Sequence, residues 1–267
     1  YVRTEVQNDG MVHLLKGKDG NKDQSYFLCQ LNQEQVQKAL FPIGQFEKSK
    51  VREIAEEAGL HTAGKKDSQG LCFVGKISLP TFLQQKLSPI KGEVLEVPRD
   101  LQMYTEYHAI DPVVDNVEAL AQPFQYSSDK GTKVAEHQGA HYYTIGQRRG
   151  LQIGGRPEPS FVIETDTKEN IVYSGQTDKH PGLNRWALFI DNQDIHYVNP
   201  AHVMVIGDTK KYDVRIRYRQ AVQPATLIRR ENGMYILFDE LQRGITPGQF
   251  AAWYDGDQLV GSGVIKH

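Results

Sequence analysis

The segment Pro89-Ile90-Lys91-Gly92 separates two parts of the sequence that carry different patterns. Before it, apolar residues recur with helical spacing, most clearly over residues 51–58, where they stand at i, i+3, i+4 and i+7 and where Gly59 follows as a stop signal. After it, short alternating runs are separated by turn residues, which is typical of β-strands. The sequence therefore predicts an α+β protein whose helices come first and whose strands dominate the rest.

The part before this boundary carries two further local signals. Short apolar-rich runs flank Asn8-Asp9-Gly10, and Asp-Gly between two such runs predicts a β-hairpin. Asn32 can cap a helix that runs to about residue 40, with Gln35 as its capping-box partner. Phe41-Pro42-Ile43-Gly44 then ends this helix.

The part after the boundary begins with residues 97–127, which contain several prolines and acidic residues. We interpret them as an irregular insertion on the surface. Residues 161–164 and 171–173 predict a hairpin, and the runs that follow, with Gly, Asp and Pro turns between them, predict a small closed barrel. These later runs are residues 187–190, 202–206, 212–218, 225–229, 234–238, 250–254 and 259–265.

Residues 214–219 have an unusual pattern, because apolar residues alternate there with Arg215, Arg217 and Arg219. On a strand, this alternation would place the arginines together on one face. Three like charges on one face repel each other unless an anion lies near them. A solvated face is one interpretation, and a nucleic-acid phosphate backbone is the interpretation that the locally basic composition favours.

Composition limits the class of protein. The formal charge of −2 argues against a uniformly basic nucleic-acid binder but allows a local basic face. Two cysteines, Cys29 and Cys72, cannot make a disulfide framework, so a cytoplasmic setting is expected. No apolar run approaches membrane-spanning length and no signal peptide is recognised, so no membrane partner is expected. The chain opens at Tyr1 without a methionine, and we interpret it as a fragment.

Cys72 lies in the run Leu71-Cys72-Phe73-Val74, which has a glycine on each side. Lys65 and Lys66 precede it, and nearby ammonium groups stabilise the reactive thiolate form of a cysteine. The alternative is that Cys72 is a small buried apolar residue, as free cysteines usually are. The residues alone favour this second interpretation.

A second glycine-rich segment surrounds Arg148 and Arg149. Backbone donors beside paired arginines suit a phosphate, although such loops are also common at hairpin ends. His137 and His141 have the i, i+4 spacing of a metal pair, but the surrounding glycines argue against the helix that the pairing needs. We therefore predict no metal site here.

Several motifs together resemble one family, the tRNA-specific 2-thiouridylases of the MnmA/TrmU type. They occur in the family's order, and the resemblance runs from Tyr1 to the C-terminus. The motifs are Lys22-Asp23-Gln24-Ser25-Tyr26-Phe27-Leu28, Phe41-Pro42-Ile43-Gly44, Lys66-Asp67-Ser68-Gln69-Gly70-Leu71-Cys72-Phe73-Val74-Gly75, Tyr143-Thr144-Ile145-Gly146-Gln147-Arg148-Arg149-Gly150-Leu151, Arg217-Tyr218-Arg219-Gln220 and Thr246-Pro247-Gly248-Gln249.

The resemblance implies three domains. Residues 1–88 would be the C-terminal remnant of an α/β nucleotide-hydrolase-like catalytic domain that carries the Cys72 loop. Residues 89–182 would form a small β-rich central domain with an insertion near residues 97–127. Residues 183–267 would form an antiparallel β-barrel that binds tRNA.

The resemblance also implies a reaction, in which ATP adenylates the C2 oxygen of the wobble uridine and a persulfide on Cys72 delivers sulfur. The family's ATP-binding Ser-Gly-Gly-x-Asp-Ser loop, with which Mg²⁺ is expected, does not occur in this sequence. The family's second active-site cysteine, which forms a disulfide with the residue matching Cys72, has no match either. The implied partners are tRNA and a persulfide donor, which is either a sulfur-relay protein or a cysteine desulfurase. This chain alone is expected to bind tRNA weakly and to be inactive.

The residues that match the family's tRNA contacts come from several motifs, to which we add the two arginines of the glycine-rich segment. They are Lys22, Asp23, Gln24, Arg148, Arg149, Arg217, Tyr218 and Gln249. The alternatives are a non-catalytic RNA-binding module and a cysteine hydrolase that uses Cys72. A hydrolase is disfavoured because no histidine has a local motif linking it to the thiol.

Overall fold

The computed structural model describes residues 1–6, 8, 10–65 and 82–267. The helices are α1 (Gln33–Lys38), α2 (Lys48–Glu57), α3 (Gln102–His108) and α4 (Val117–Leu120). The strands are β1 (Val2–Val6), β2 (Val12–Lys16), β3 (Gly92–Glu96), β4 (Thr132–His137), β5 (Ser160–Asp166), β6 (Ile171–Gln176), β7 (Asn184–Asp191), β8 (Ile195–Tyr197), β9 (Thr209–Arg215), β10 (Gln223–Arg230), β11 (Gly233–Arg243), β12 (Phe250–Asp255) and β13 (Gln258–Val264).

The larger sheet has the order β1-β2-β13-β12-β9-β10-β11-β7, and β8 pairs with β13. Its β7 edge does not remain open. The Phe189 amide of β7 donates to the His267 carbonyl at 2.8 Å, and the Lys266 amide donates to the Phe189 carbonyl at 2.9 Å. The tail that follows β13 therefore closes β7 and β9–β13 into a barrel, which confirms the predicted C-terminal barrel and removes the exposed edges of its sheet.

Apolar side chains fill the barrel. The completely buried Trp253 of β12 packs with Val214 of β9, Leu227 of β10 and Ile236 of β11. Inward residues alternate along each strand, as the two-residue period of a strand requires. The barrel thus has a packed interior, and its ligands must bind to its loops or its outer surface.

The smaller sheet has the order β4-β3-β6-β5. β3 and β6 are parallel, with Val94 beside Val172, and the other pairs are antiparallel. The predicted hairpin of residues 161–173 is confirmed as β5 and β6, and Asn170 takes the positive φ of 56° that the turn requires.

The predictions for the first part of the chain are confirmed where the structure describes it. β1 and β2 form the expected antiparallel hairpin. α1 begins at a capping box in which Asn32 and Gln35 each bond the other's backbone amide, at 3.0 Å in both directions. α2 covers most of the predicted helix 51–58. Cys72 and its motif lie outside the described residues.

The hairpin continues the barrel's sheet, because Leu15 of β2 pairs with Gln258 of β13. The Lys16 amide donates to the Asp257 carbonyl at 2.9 Å. Arg3 forms an ion pair of 2.7 Å with the same aspartate. The first segment is therefore attached to the barrel through main-chain hydrogen bonds.

The interpretation of residues 97–127 as an irregular surface insertion is wrong. They contain α3 and α4, whose buried side chains pack on β7, β10 and β11 of the barrel. The Tyr107 hydroxyl donates to the Leu120 carbonyl at 2.9 Å and accepts the Trp186 amide at 2.7 Å. Arg185, which is 7% exposed, donates to the carbonyl of Ala121 at the end of α4. This segment covers one side of the barrel.

Two predicted strands need correction. Residues 202–206 do not form a strand, because Asn199 and Pro200 start a 3-10 turn and Asp208 accepts the Val205 amide. The arginine-bearing strand ends at Arg215 and does not reach Tyr218. Beyond it the Gln220 side chain accepts the Ile216 amide at 3.2 Å, and the left-handed φ of Arg219 (68°) turns the chain away from the sheet. The three arginines consequently do not share a face.

Among the described helices, none has the length and apolar character needed to cross a membrane.

Candidate nucleic-acid interface

Tyr26 connects the segment of residues 22–28 to two loops of the barrel. Its hydroxyl donates to the Phe250 carbonyl at 2.9 Å and lies 3.4 Å from the Ile216 carbonyl. Its ring packs in the cluster that joins the first segment to the barrel. Burial raises the pKa of Tyr26 to about 12, so the hydroxyl remains a donor at neutral pH. This side chain therefore fixes residues 22–28 beside the loops that follow β9 and precede β12.

Asp23 forms a buried ion pair with Arg215. Its carboxylate accepts from Arg215 Nη1 at 2.9 Å and from the Ser25 amide at 3.0 Å, and the residue is only 5% exposed. The Ser25 hydroxyl in turn lies 3.1 Å from the Tyr254 hydroxyl. Asp23 and Arg215 were both predicted to lie near RNA. In the structure they neutralise each other's charge, and their ion pair holds residues 22–28 in place.

Arg217 lies where three loops meet. Its Nη2 donates to the Arg243 carbonyl. A side-chain carbon built on Gly146 or on Gly244 would lie 3.7 Å or 3.4 Å from Arg217 Nη1. Burial and, secondarily, the charge of Arg243 lower the pKa of Arg217. No carboxylate in the described part of the chain forms an ion pair with it, so this half-buried cation suits an external anion such as a phosphate.

Tyr218, the residue after Arg217, packs against the ring of Phe27. Phe27 is 59% exposed, and its ring centroid is 4.3 Å from that of Tyr218, with 42° between the planes. The Arg219 guanidinium lies over the other ring at 5.5 Å. Exposed aromatic rings beside arginines are a common arrangement for contact with unpaired nucleic-acid bases.

The turn Thr246-Pro247-Gly248-Gln249 brings Gln249 to the same side. Proline precedes a glycine with φ of 82°, and the Gln249 amide donates to the Thr246 carbonyl at 3.3 Å, as in a type II turn. The side chain of Gln249 is exposed. Since the next residue, Phe250, receives the Tyr26 hydroxyl, Gln249 lies next to the segment of residues 22–28.

The loop with Arg148 and Arg149 is shaped by Gln147. The Gln147 carbonyl accepts the Val162 amide at 2.9 Å, while its side chain donates to the Arg149 carbonyl at 2.8 Å. Both arginines are exposed. Because Gly146 packs against Arg217, this loop meets the aromatic and cationic residues from the side of the smaller sheet.

Gln24 lines a groove with Phe27, whose ring packs against Tyr218, and Gln249 precedes the residue that binds Tyr26. The loop of Arg148 and Arg149 approaches Arg217 through Gly146. Lys22 is half-exposed. Asp23 is buried as described. Phe27 and Arg243 were not predicted as site residues, because no pattern in the sequence distinguishes the outward Phe27 from the inward Tyr26 that precedes it.

The sequence of this chain matches the models of three known domain families. Residues 1–76 match the model of the tRNA methyl transferase HUP domain, residues 125–176 the tRNA methyl transferase PRC-barrel domain, and residues 189–265 the aminomethyltransferase beta-barrel domain. The chain is therefore a multidomain protein of the class in which these three domains follow one another.

Relatives with similar sequences identify the protein family within this class. Proteins named tRNA-specific 2-thiouridylase MnmA are 51% identical in Christiangramia forsetii and 50% identical in Flavobacterium johnsoniae. Each alignment is 267 positions long and covers 99% of this chain and 68% of the relative. The Karelsulcia muelleri protein of that name is 40% identical over 270 residues, again 68% of its length. The chain belongs to the MnmA family of tRNA-specific 2-thiouridylases.

Proposed function

We propose that this chain is part of an enzyme that thiolates a uridine of tRNA at C2, as the names of its relatives state for them. The observation that supports the proposal most directly is the position of Arg217. This half-buried cation lies where the loops of three family motifs meet, and no described carboxylate neutralises it. A tRNA phosphate would supply the missing charge.

The finer mechanism remains a prediction from the family resemblance. It comprises adenylation of the C2 oxygen by ATP and transfer of sulfur from a persulfide on Cys72, loaded by a sulfur-relay protein or a cysteine desulfurase in the cytoplasm. Cys72 lies outside the described residues, and the sequence contains no Ser-Gly-Gly-x-Asp-Ser loop that would hold ATP and Mg²⁺.

The domain boundaries predicted from the sequence are part of the same proposal. Because β1 and β2 join the barrel's sheet, residues 1–16 and the barrel provide one continuous surface for tRNA. The relatives above are named as enzymes, which argues against the alternative of a non-catalytic RNA-binding module.

The test is tRNA binding by the full-length protein with Arg217→Ala, measured at several salt concentrations. If Arg217 neutralises a phosphate, the slope of log K against log [salt] becomes shallower by about 0.7–0.9. Arg230→Ala removes the same charge at the far end of β10, roughly 23 Å beyond Gln223 at about 3.3 Å per residue, and should leave the slope unchanged. An unchanged slope in Arg217→Ala would count against the phosphate contact.

A further inference from the structure

Phe27 is a large apolar side chain held outward by a rigid short element. Residues Ser25–Leu28 form a 3-10 turn, in which the Phe27 amide donates to the Gln24 carbonyl at 3.0 Å. In this turn Tyr26 points into the core and is 6% exposed, whereas Phe27 is 59% exposed. The hydrogen bond of Tyr26 to Phe250 prevents the turn from rotating Phe27 inward.

Among the described residues, the ring of Phe27 lies 4.3 Å from that of Tyr218 and meets the ring of Tyr26 edge-on at 6.2 Å. Tyr218, which is half-buried in the cluster between the first segment and the barrel, packs against it. Its remaining surface lines an apolar groove of about 430 Å³, together with Gln24, Leu28, Leu40, Phe41 and Ile43. An aromatic ring that packs against a second ring and is still 59% exposed among the described residues offers a stacking surface.

The charges around the groove indicate what stacks there. Arg217 and Arg219 lie on the side of Tyr218, and within the described chain no carboxylate pairs with either of them. Gln24 provides an amide donor and an amide acceptor at the edge of the groove. A flat apolar group joined to an anionic backbone meets these requirements, and an unpaired nucleotide has both parts.

We propose that Phe27 is the stacking platform for an unpaired base of the RNA substrate, with Tyr218 supporting its ring and Arg217 and Arg219 receiving the adjacent phosphates. This inference rests on the proposed function and adds a base-binding residue to it. Since every base has a π face, the platform should bind unpaired RNA with little dependence on sequence and should not bind a duplex, whose bases are stacked internally.

The experiment compares two probes that bind the full-length protein, namely an RNA hairpin with 2-aminopurine in its unpaired loop and a blunt duplex of the same stem. Phe27→Leu should weaken binding of the hairpin roughly 5- to 150-fold, the loss expected for one stacked base, and should remove the 2-aminopurine fluorescence change. The Phe27→Leu variant should bind the duplex with the wild-type affinity, and its slope of log K against log [salt] should equal that of the wild type. Phe27→Trp should retain hairpin binding, because it keeps a stacking face.

Phe46→Leu is the matched control, because Phe46 is also exposed (39%) but does not line the groove. It should bind both probes as the wild type does. Equal hairpin binding by Phe27→Leu and the wild type would overturn the proposal, and so would an equal loss for both probes or a loss in Phe27→Trp. If the wild type bound neither the hairpin nor tRNA, the proposed function itself would fail.

Discussion

Replacing Asp23 with alanine tests whether this residue supports the interface or contacts RNA itself. The carboxylate is almost completely buried, and it accepts from Arg215 at 2.9 Å and from the Ser25 amide at 3.0 Å. Its loss would leave the Arg215 guanidinium buried and uncompensated, with an Nε that already has no hydrogen-bond partner. We expect a loss of about 3–5 kcal/mol in the free energy of unfolding, as for other broken buried ion pairs.

A double-mutant cycle separates the charge from the rest of the side chain. Arg215→Met alone should be as costly as Asp23→Ala, because it leaves a buried carboxylate without its cation. The double variant contains neither charge, so it should lose only about 1–3 kcal/mol, the cost of the unpaired Ser25 amide. The two single losses should therefore not add.

The assay is chemical unfolding at neutral pH, followed by the fluorescence of Trp253 in a Trp186→Phe background. Trp253 is buried in β12 next to Tyr254, whose ring lies 5.5 Å from the Arg215 guanidinium, so it reports on this junction. A loss below about 1 kcal/mol for Asp23→Ala, or additive single losses, would refute the reasoning. The carboxylate would then be accessible to solvent and available for the RNA contact that the family resemblance implies.

Two further predictions concern residues away from this pair. In the full-length protein, Cys72→Ser should abolish 2-thiouridine formation, measured by mass spectrometry of tRNA nucleosides, while tRNA affinity stays nearly unchanged; near wild-type thiolation would remove Cys72 from the mechanism. His180 is completely buried, and this burial lowers its pKa to about 4. In the unfolded chain the same histidine has a pKa near 6.5. Between about pH 6.5 and 4 the unfolded chain therefore binds a proton that the folded chain does not. The wild type should lose about 2 kcal/mol of stability from this histidine between pH 7 and pH 5, and His180→Gln should not; a difference between the two unfolding free energies that is constant with pH would contradict this.

The elements that the sequence predicted correctly are those whose signals are local. The capping box acts within four residues, and the Asp-Gly signal with its two flanking runs was enough to predict the hairpin of β1 and β2. The requirement for glycine at position 44, in the Phe41–Gly44 motif, does not come from a local signal. A side-chain carbon at Gly44 would lie 1.8 Å from the Val2 carbonyl, a contact between segments about forty residues apart that the sequence does not show.

The incorrect prediction for residues 97–127 concerns a segment whose local structure depends on packing against strands far away in the sequence. Tyr104 and Tyr107 are one helical turn apart, as are Val117 and Leu120, but each helix is too short for its periodicity to stand out. Their stability comes from packing on β7, β10 and β11, which the chain forms more than sixty residues later. The prolines and acidic residues between α3 and α4 made their amphipathic pattern hard to recognise in the sequence.

The candidate interface was only partly predictable for a similar reason. Alternation over residues 214–219 correctly marks Val214 and Arg215 as strand residues, but the side chain of Gln220 bends the chain after them. This bend separates Arg215, which pairs with Asp23, from Arg217, which has no described anion. Charge composition alone could not distinguish an arginine in a buried ion pair from one that has no ion pair in the described part of the chain.

The attachment of the first segment to the barrel has a consequence for binding. Residues 22–28 and the loops around Arg217 and Gln249 are nearly two hundred residues or more apart in sequence, but the Tyr26 hydroxyl and the Asp23–Arg215 pair fix their spacing before any RNA arrives. Ordering an interface side chain on binding costs about 0.5–1.5 kcal/mol, and a prearranged site avoids much of that cost. Weakening the junction should therefore reduce RNA affinity even when every contacting side chain is retained, since the contacts would then have to be assembled during binding.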